Sequence, residues 1–227
     1  MPSVFGQFCP VALASEVLMQ KWMLLILREM NAGSTRFNDI RRGVPRISAT
    51  LLKQRLDQLE LADIAFRRPV AEGGVDEYVL TTAGRELKAV LGSIGEWGQR
   101  WARDIDPDDL DPGWLVWSMH RRLNLSELPA GRTVLEIAFT DAQKDQRFFW
   151  LVCDQERAEV CVKPTGYEVD LRVITSVRTL AEVWRGIRVL KPELASGNIR
   201  LEGSSDLKRT FPDLLLLSGF AGTQRQR

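Results

Sequence analysis

Ile47-Ser48-Ala49-Thr50-Leu51-Leu52-Lys53-Gln54-Arg55-Leu56-Asp57-Gln58-Leu59-Glu60 reads as a helix with two unlike faces. Ser48 stands just before the periodic apolar residues, where a hydroxyl can accept from an otherwise unsatisfied first-turn amide. Leu52, Leu56 and Leu59 recur at i, i+4 and i+7 and so form one stripe. At about 100° per residue, the opposite side carries Thr50, Lys53, Gln54 and Asp57. A helix buried along one side and presenting these groups on the other suits the major groove of DNA. Gln can pair with an adenine edge, Lys with guanine, and the Thr methyl can pack on thymine. An ordinary solvated helix could carry the same residues, so the neighbours decide.

Upstream, residues 37–42 read as a short helix with Phe37 and Ile40 inward, and Gly43-Val44-Pro45-Arg46-Ile47 reads as a turn. Residues 22–30 are apolar nearly all round (Met23, Leu24, Leu25, Ile26, Leu27), which predicts a buried helix. Residues 11–19 form another helix behind Pro10, a favoured first-turn residue. Downstream, residues 64–70, with Arg67 and Arg68, and residues 77–81 flank a Gly-Gly turn within 71–75. That pattern is a β-hairpin, and a hairpin directly after a recognition helix is a wing. Thr81-Thr82-Ala83-Gly84 opens a last helix to about residue 103, with Leu87, Val90, Leu91, Ile94, Trp97 and Trp101 at helical spacing.

The 227 residues carry 31 Lys and Arg against 30 Asp and Glu, net +1, but the charge is uneven. Residues 1–103 hold net +3 and 104–227 net −2, and within 21–55 eight basic residues meet two acids, Glu29 and Asp39. A local excess of this kind suits a phosphate backbone, although a solvated basic face would share it. The acidic, Pro- and Gly-interrupted stretch 104–113 cannot be a regular element. It divides the chain into residues 1–103, a linker 104–113, and residues 114–227. No apolar run approaches the ~20 residues of a membrane span. Residues 1–30 lack a leader pattern, so no membrane partner and a cytoplasmic location are expected. Three cysteines (Cys9, Cys153, Cys161) and a single histidine, His120, give no disulfide framework, metal site or triad. No catalytic residue, metal or cofactor is expected, and an enzyme is the least supported class.

Several stretches together resemble the HxlR family of winged-helix regulators, relatives of the MarR type. They are Cys9-Pro-Val, Lys21-Trp-Met-Leu-Leu-Ile-Leu-Arg-Glu, Arg36-Phe-Asn-Asp-Ile-Arg, Ile47-Ser-x-x-Leu-Leu-x-x-Arg-Leu-x-x-Leu, Tyr78-x-Leu-Thr-x-x-Gly and Gly95-Glu-Trp97. The resemblance implies a homodimer joined through the N-terminal and last helices of this region, usually a repressor, on a pseudo-palindromic operator in double-stranded DNA. It places the helix from Ser48 in the major groove, with Thr50, Lys53 and Gln54 facing bases. Arg41, Arg42, Arg46, Arg67 and Arg68 become phosphate contacts. Two departures stand out. Asp63 occupies a position where relatives usually have a helix-ending Gly, and the wing tip is acidic (Glu72, Asp76, Glu77). Some members sense oxidants through a cysteine at the position of Cys9. A helix N-terminus would favour its thiolate, while a small packed residue at a dimer interface is the alternative.

In residues 114–227, a helix over 114–125 precedes strands over 133–139, 148–153, 158–162, 168–174 and 199–202. Helices over 177–187, 193–196 and 206–217 complete an α+β layout, an antiparallel sheet with helices against one face. Leu180-Ala-Glu-Val-Trp184-Arg-Gly and Leu194-Ala-Ser-Gly197-Asn-Ile-Arg-Leu-Glu-Gly203 resemble the sterol-carrier-protein type of lipid-binding domain. That resemblance implies an apolar ligand, with Trp114, Trp117, Phe149, Trp150, Trp184 and Phe211 as lining residues. Aromatics in a half-buried sheet are as readily plain core. An apolar effector could switch the dimer, or the second half could only strengthen dimerisation. The rival function is an apolar-ligand carrier whose helix-turn-helix serves dimerisation.

Overall fold

The computed structural model describes residues 5–70 and 74–226. The chain forms two compact units, Met1–Gly95 and Glu96–Arg227. Mixed helix and sheet was expected and is found in both.

In the first unit, α1 (Pro10–Leu18), α2 (Met23–Asn31), α3 (Phe37–Gly43) and α4 (Ala49–Leu61) precede a hairpin of β1 (Ala65–Arg68) and β2 (Glu77–Leu80). Helix α5 (Thr82–Trp101) follows, and the boundary between units falls within it. Leu52, Leu56 and Leu59 are fully buried among Met23, Ile26, Leu27 and Ile40. The stripe on α4 is therefore the core of this unit. Helix α2 is less enclosed than expected: Leu25 is exposed, and only Met23, Ile26, Leu27, Glu29 and Met30 are buried. Ser48 caps α4 by accepting from Leu51 N at 3.2 Å.

At its other end, Asp63 takes a positive φ of 54°. Its amide donates to Glu60 O at 3.0 Å, and Ile64 N donates to Leu59 O at 2.9 Å. This is a left-handed helix stop built on a non-glycine residue. Strands β1 and β2 pair antiparallel, Ala65 opposite Leu80 and Arg68 opposite Glu77. The turn at 71–73, with Glu72, lies outside the described residues.

The second unit holds α6 (Pro112–Met119), β3 (Thr133–Phe139), β4 (Phe148–Cys153), β5 (Ala158–Cys161), β6 (Leu171–Thr175), α7 (Val177–Trp184), α8 (Leu190–Ala195), β7 (Ile199–Gly203) and α9 (Ser205–Leu214). The sheet order is β5-β4-β3-β6-β7. Three of its pairings are antiparallel, as expected, but the central β3–β6 pair is parallel, so the sheet is mixed. Leu135, Ile137, Phe139, Phe149, Leu151, Leu171 and Val173 alternate onto one face and pack against α6, α7 and α9.

The other face is not simply solvated. Glu136 is buried there, paired with Arg172 at 2.5 Å and accepting from Trp150 Nε1 at 3.0 Å. Helix α6 is shorter than expected and gives way to 3-10 turns at His120–Arg122 and Leu125–Glu127. The stretch 104–113 also holds a 3-10 turn, Pro107–Asp109, capped by Asp106. Helix α7 ends at Trp184 because Gly186 turns left-handed (φ 73°) and Ile187 N reaches back to Glu182 O at 2.8 Å.

Candidate nucleic-acid interface

The leucine stripe buries one face of α4 in the core of the first unit, and the opposite face is left to solvent. Thr50, Gln54 and Asp57 are exposed and Lys53 is half-buried. Lys53 makes an ion pair with Asp57 one turn on, and that bond raises the lysine's pKa. The three residues expected to face bases therefore share one exposed face, with an acid tethering their one cation. Ser48 lies at the same helix entrance, its hydroxyl committed to the cap.

Among the arginines, Arg41, Arg42 and Arg46 are exposed on the α3–α4 connection and the end of α3. Arg42 lies 3.6 Å from Asp39. At the wing, both arginines meet carboxylates. Arg67 lies 3.9 Å from Glu60 and 3.7 Å from Asp76, and Arg68 donates to Glu77 at 2.6 Å. Arg68 first, then Thr35 at 3.1 Å, hold the Glu77 carboxyl below its ordinary range. The wing base is thus closer to neutral than its sequence suggests.

Sequence reading missed the latch beneath the turn. Glu29, 2% exposed, accepts from Arg28 at 2.9 Å, and Arg28 also donates to the Gly43 carbonyl at 2.7 Å. A Cβ on Gly43 would stand 1.9 Å from Glu29 Cδ. This contact joins α2 to the end of α3 and so sets the turn that aims α4. An Arg-Glu pair inside an otherwise apolar helix was the signal for it.

Cys9 is exposed at the N-cap of α1. Backbone amides of Ala12 and Val11 lower its thiol pKa. Cys153 is buried in the second core, and burial pushes its thiol up to about 12.

In the second unit a cavity of about 390 Å³ opens between the 102–111 segment, α6 and α7. Trp114 and Trp184 line it and meet edge to face, with centroids 6.1 Å apart. Phe149 and Phe211 are buried in the adjoining core. Trp150 lies on the opposite face of the sheet, where it stacks with Phe148. Trp117 is covered by Arg121, 4.7 Å from its ring, and by His120. Of the six aromatic residues, two reach the cavity. Among the described residues no group of three or more His, Cys, Asp or Glu side chains is placed to hold a metal ion.

A helix-turn-helix with its second helix exposed on one face, followed by a two-stranded wing, defines the winged-helix class of regulators. Residues 17–106 match the HxlR-like helix-turn-helix family, and the chain belongs to that family. It is 36% identical over 108 residues to the HTH-type transcriptional regulator YvaP of Bacillus subtilis (strain 168), covering 47% of this chain and 97% of YvaP. It is 32% identical over 100 residues to the HTH-type transcriptional regulator YodB of the same organism, covering 43% of this chain and 89% of YodB. The solved reduced form of YodB from B. subtilis aligns at 30% identity with a TM-score of 0.38, over 44% of this chain and 100% of that one. The chain is thus a helix-turn-helix regulator, and no single described helix is long and apolar enough to cross a membrane.

Proposed function

We propose that this chain is a cytoplasmic, sequence-specific repressor that binds a pseudo-palindromic operator in double-stranded DNA as a homodimer. The observation that carries this reading is the polar face of α4, with Thr50, Lys53 and Gln54 standing opposite a fully buried leucine stripe. Those side chains are rigidly based and chemically able to read base edges. Arg41, Arg42, Arg46, Arg67 and Arg68 supply the phosphate contacts, and Ser48 holds the helix entrance. Dimerisation is supported by unburied apolar surface on two helices: Phe8, Val11 and Leu13 at α1, and Val90, Ile94, Trp97 and Trp101 along α5.

The assignment of work follows the chain: residues 1–103 bind DNA and dimerise, 104–113 connect, and 114–227 receive an apolar effector in a sterol-carrier-like domain. The cavity bounded by Trp114 and Trp184 supports an effector site. An effector that binds the DNA-competent and DNA-incompetent forms of the dimer with different affinity would bias DNA binding. Cys9 is a second input, an oxidant-sensing thiol at a helix N-terminus.

The test is selection of genomic fragments by the purified protein near physiological salt, read by sequencing. A short inverted repeat is expected, with Lys53→Ala or Gln54→Ala each costing about 1–3 kcal/mol at one position of each half-site. Weak binding that vanishes as salt rises would overturn the reading. It would favour the alternative that the cavity supports, an apolar-ligand protein whose helix-turn-helix serves dimerisation.

A further inference from the structure

Helix α4 carries two basic residues, and only Lys53 stands with Thr50 and Gln54 on its polar face. At about 100° per residue, Arg55 lies about 140° from Thr50 and about 160° from Lys53, on the flank of the leucine stripe. It is half-buried there. A guanidinium drawn partly out of water needs acceptors from the protein, and Arg55 has two. Its Nε donates to the Lys21 carbonyl at 3.0 Å, and its Nη1 donates to Gln58 Oε1 at 2.8 Å. The first bond leaves α4 altogether and ends on the turn between α1 and α2.

That turn is strained. Trp22, just before α2, has a φ of 78°, and the other described non-glycine residue with a positive φ is Asp63, at the far end of α4. A bulky residue keeps such a backbone only where its surroundings fix it. Around Trp22 those surroundings are the apolar core against its ring, the Lys21 ammonium 5.3 Å from the ring centre, the Met23 N bond to Gln20 O at 3.0 Å, and the Arg55 bond to Lys21 O. Because the last acceptor is main chain, the bond fixes where the turn itself runs against α4.

We propose that Arg55 is a positioning residue: by fastening the flank of α4 to the Lys21 carbonyl, it sets the angle at which Thr50, Lys53 and Gln54 meet DNA, without touching DNA itself. This rests on the reading of α4 as the recognition helix and adds what aims it. The buried leucines hold α4 against the core, but apolar contact is non-directional and leaves the roll of the helix loosely set. A charge-assisted hydrogen bond on one flank is directional and restricts that roll. Hydrogen bonds to base edges depend on such alignment, whereas charge attraction to phosphates does not. Loss of the Arg55 bond should therefore act on operator binding and spare non-specific binding.

The test uses the full chain and Arg55→Met, which keeps an unbranched stem on the flank of the stripe and removes the donors. A duplex recovered by the genomic selection and a scrambled duplex of the same length are titrated by fluorescence anisotropy at several salt concentrations. Operator affinity should fall about three- to tenfold in the variant, scrambled-duplex affinity should stay within about twofold, and the salt slope should not change. Weakening on both duplexes with a slope shallower by about one would make Arg55 a phosphate contact and overturn the proposal. Equal weakening on both at an unchanged slope would mean that Arg55 only keeps the unit folded, and would overturn it too. So would an unchanged operator affinity. Hydrogen exchange on the free proteins needs no DNA: amides over 20–26 should exchange at least about fivefold faster in Arg55→Met, while those over 50–61 keep their protection. Unchanged exchange over 20–26 would overturn the fastening itself. A selection in which the unaltered chain recovers no operator is a different failure, since it removes the reading of α4 as a recognition helix and the aim with it.

Discussion

Gln99 and Arg185 hold each other by both ends: Gln99 Nε2 donates to the Arg185 carbonyl at 3.1 Å, while Arg185 Nε and Nη2 donate back to Gln99 Oε1 at 3.1 and 2.6 Å. Gln99 is buried, and burial first, then Arg225, lowers the pKa of the Arg185 guanidinium. Gln99→Ala would leave a carbonyl and a guanidinium in the same buried place without their partner. We expect the second unit to lose about 1–3 kcal/mol, read as a lower denaturant midpoint of its transition. An unchanged midpoint would mean that water replaces the amide without cost.

Gly84 and Gly92 lie on the same helix and should respond oppositely to the same substitution. A Cβ on Gly84 would stand 2.2 Å from the Ile64 carbonyl oxygen and 2.9 Å from Leu80 Cδ2, whereas Gly92 has nothing within 4 Å. Backbone cannot step aside as a side-chain tip can. Gly84→Ala should therefore destabilise the first unit by about 1–3 kcal/mol or more. Gly92→Ala should stabilise by about 0.5–1 kcal/mol through helix propensity. Thermal melts of the two variants check both signs.

What the sequence made legible was whatever is local and periodic. The stripe Leu52, Leu56, Leu59 follows from the helical repeat alone, and each of the three is fully buried. Four of the five strands of the second unit were found to within a residue because apolar alternation and turn residues bound them, whereas the strand expected from 168 starts only at Leu171. The parallel β3–β6 pairing was not visible, since the chain leaves for two other strands before returning. Phe149 and Trp150 were read as sharing a pocket, although neighbours on a strand point to opposite faces, and they do. The acidic 104–113 stretch read as a linker because its distant partner, Arg225, is brought to it only by folding, although Arg103 stands beside it in the chain and pairs with Asp109. The same holds for the carboxylates that reach Arg67 and Arg68.

Asp63 tests how much a left-handed helix stop costs a residue with a Cβ. Its φ of 54° closes α4 directly beside the wing. Asp63→Gly removes that strain and adds freedom to the unfolded chain, two effects of opposite sign. The strain term, about 1–2 kcal/mol for an ordinary L-residue and less for Asp, should win narrowly. We expect stabilisation of about 0.5 kcal/mol with DNA affinity unchanged. A drop in affinity at equal stability would show that the carboxylate itself acts at the DNA.

Asp57 sits on the exposed polar side of α4 and ties up Lys53. An exposed pair of this kind contributes little to stability, so its removal should be nearly silent in a melt. Its effect on binding should be the reverse of a typical interface mutation. With α4 in the groove as proposed, Asp57→Ala releases the ammonium and removes a negative charge from the DNA-binding face, so affinity for DNA should rise about three- to tenfold. The slope of log K against log salt should steepen by up to about one if Lys53 then reaches a phosphate. A rise without any change in slope would place the freed lysine on a base edge instead. A fall in affinity would mean that Asp57 itself reads a base, as a carboxylate can at cytosine.

Cys9 and Cys153 should separate by reactivity with pH. Backbone amides at the start of α1 stabilise the Cys9 thiolate, and the residue is exposed. Burial, with Asp154 as a lesser cause, pushes the Cys153 thiol up to about 12. Only the thiolate attacks an alkylating agent, so a lowered pKa moves the onset of reaction to lower pH and a raised one moves it higher. With iodoacetamide on the folded chain, followed by mass spectrometry, Cys9 should alkylate first, with its half-maximal rate below that of an ordinary free thiol. Cys153 should stay unmodified until the protein is unfolded. If the Cys9 rate instead rises only in the range of a model thiol, the helix start does not activate it and the sensing role loses its chemical basis. If Cys153 reacts alongside Cys9 in the native chain, the second core opens on the timescale of the labelling. Hydrogen exchange at β4 would then have to be correspondingly fast.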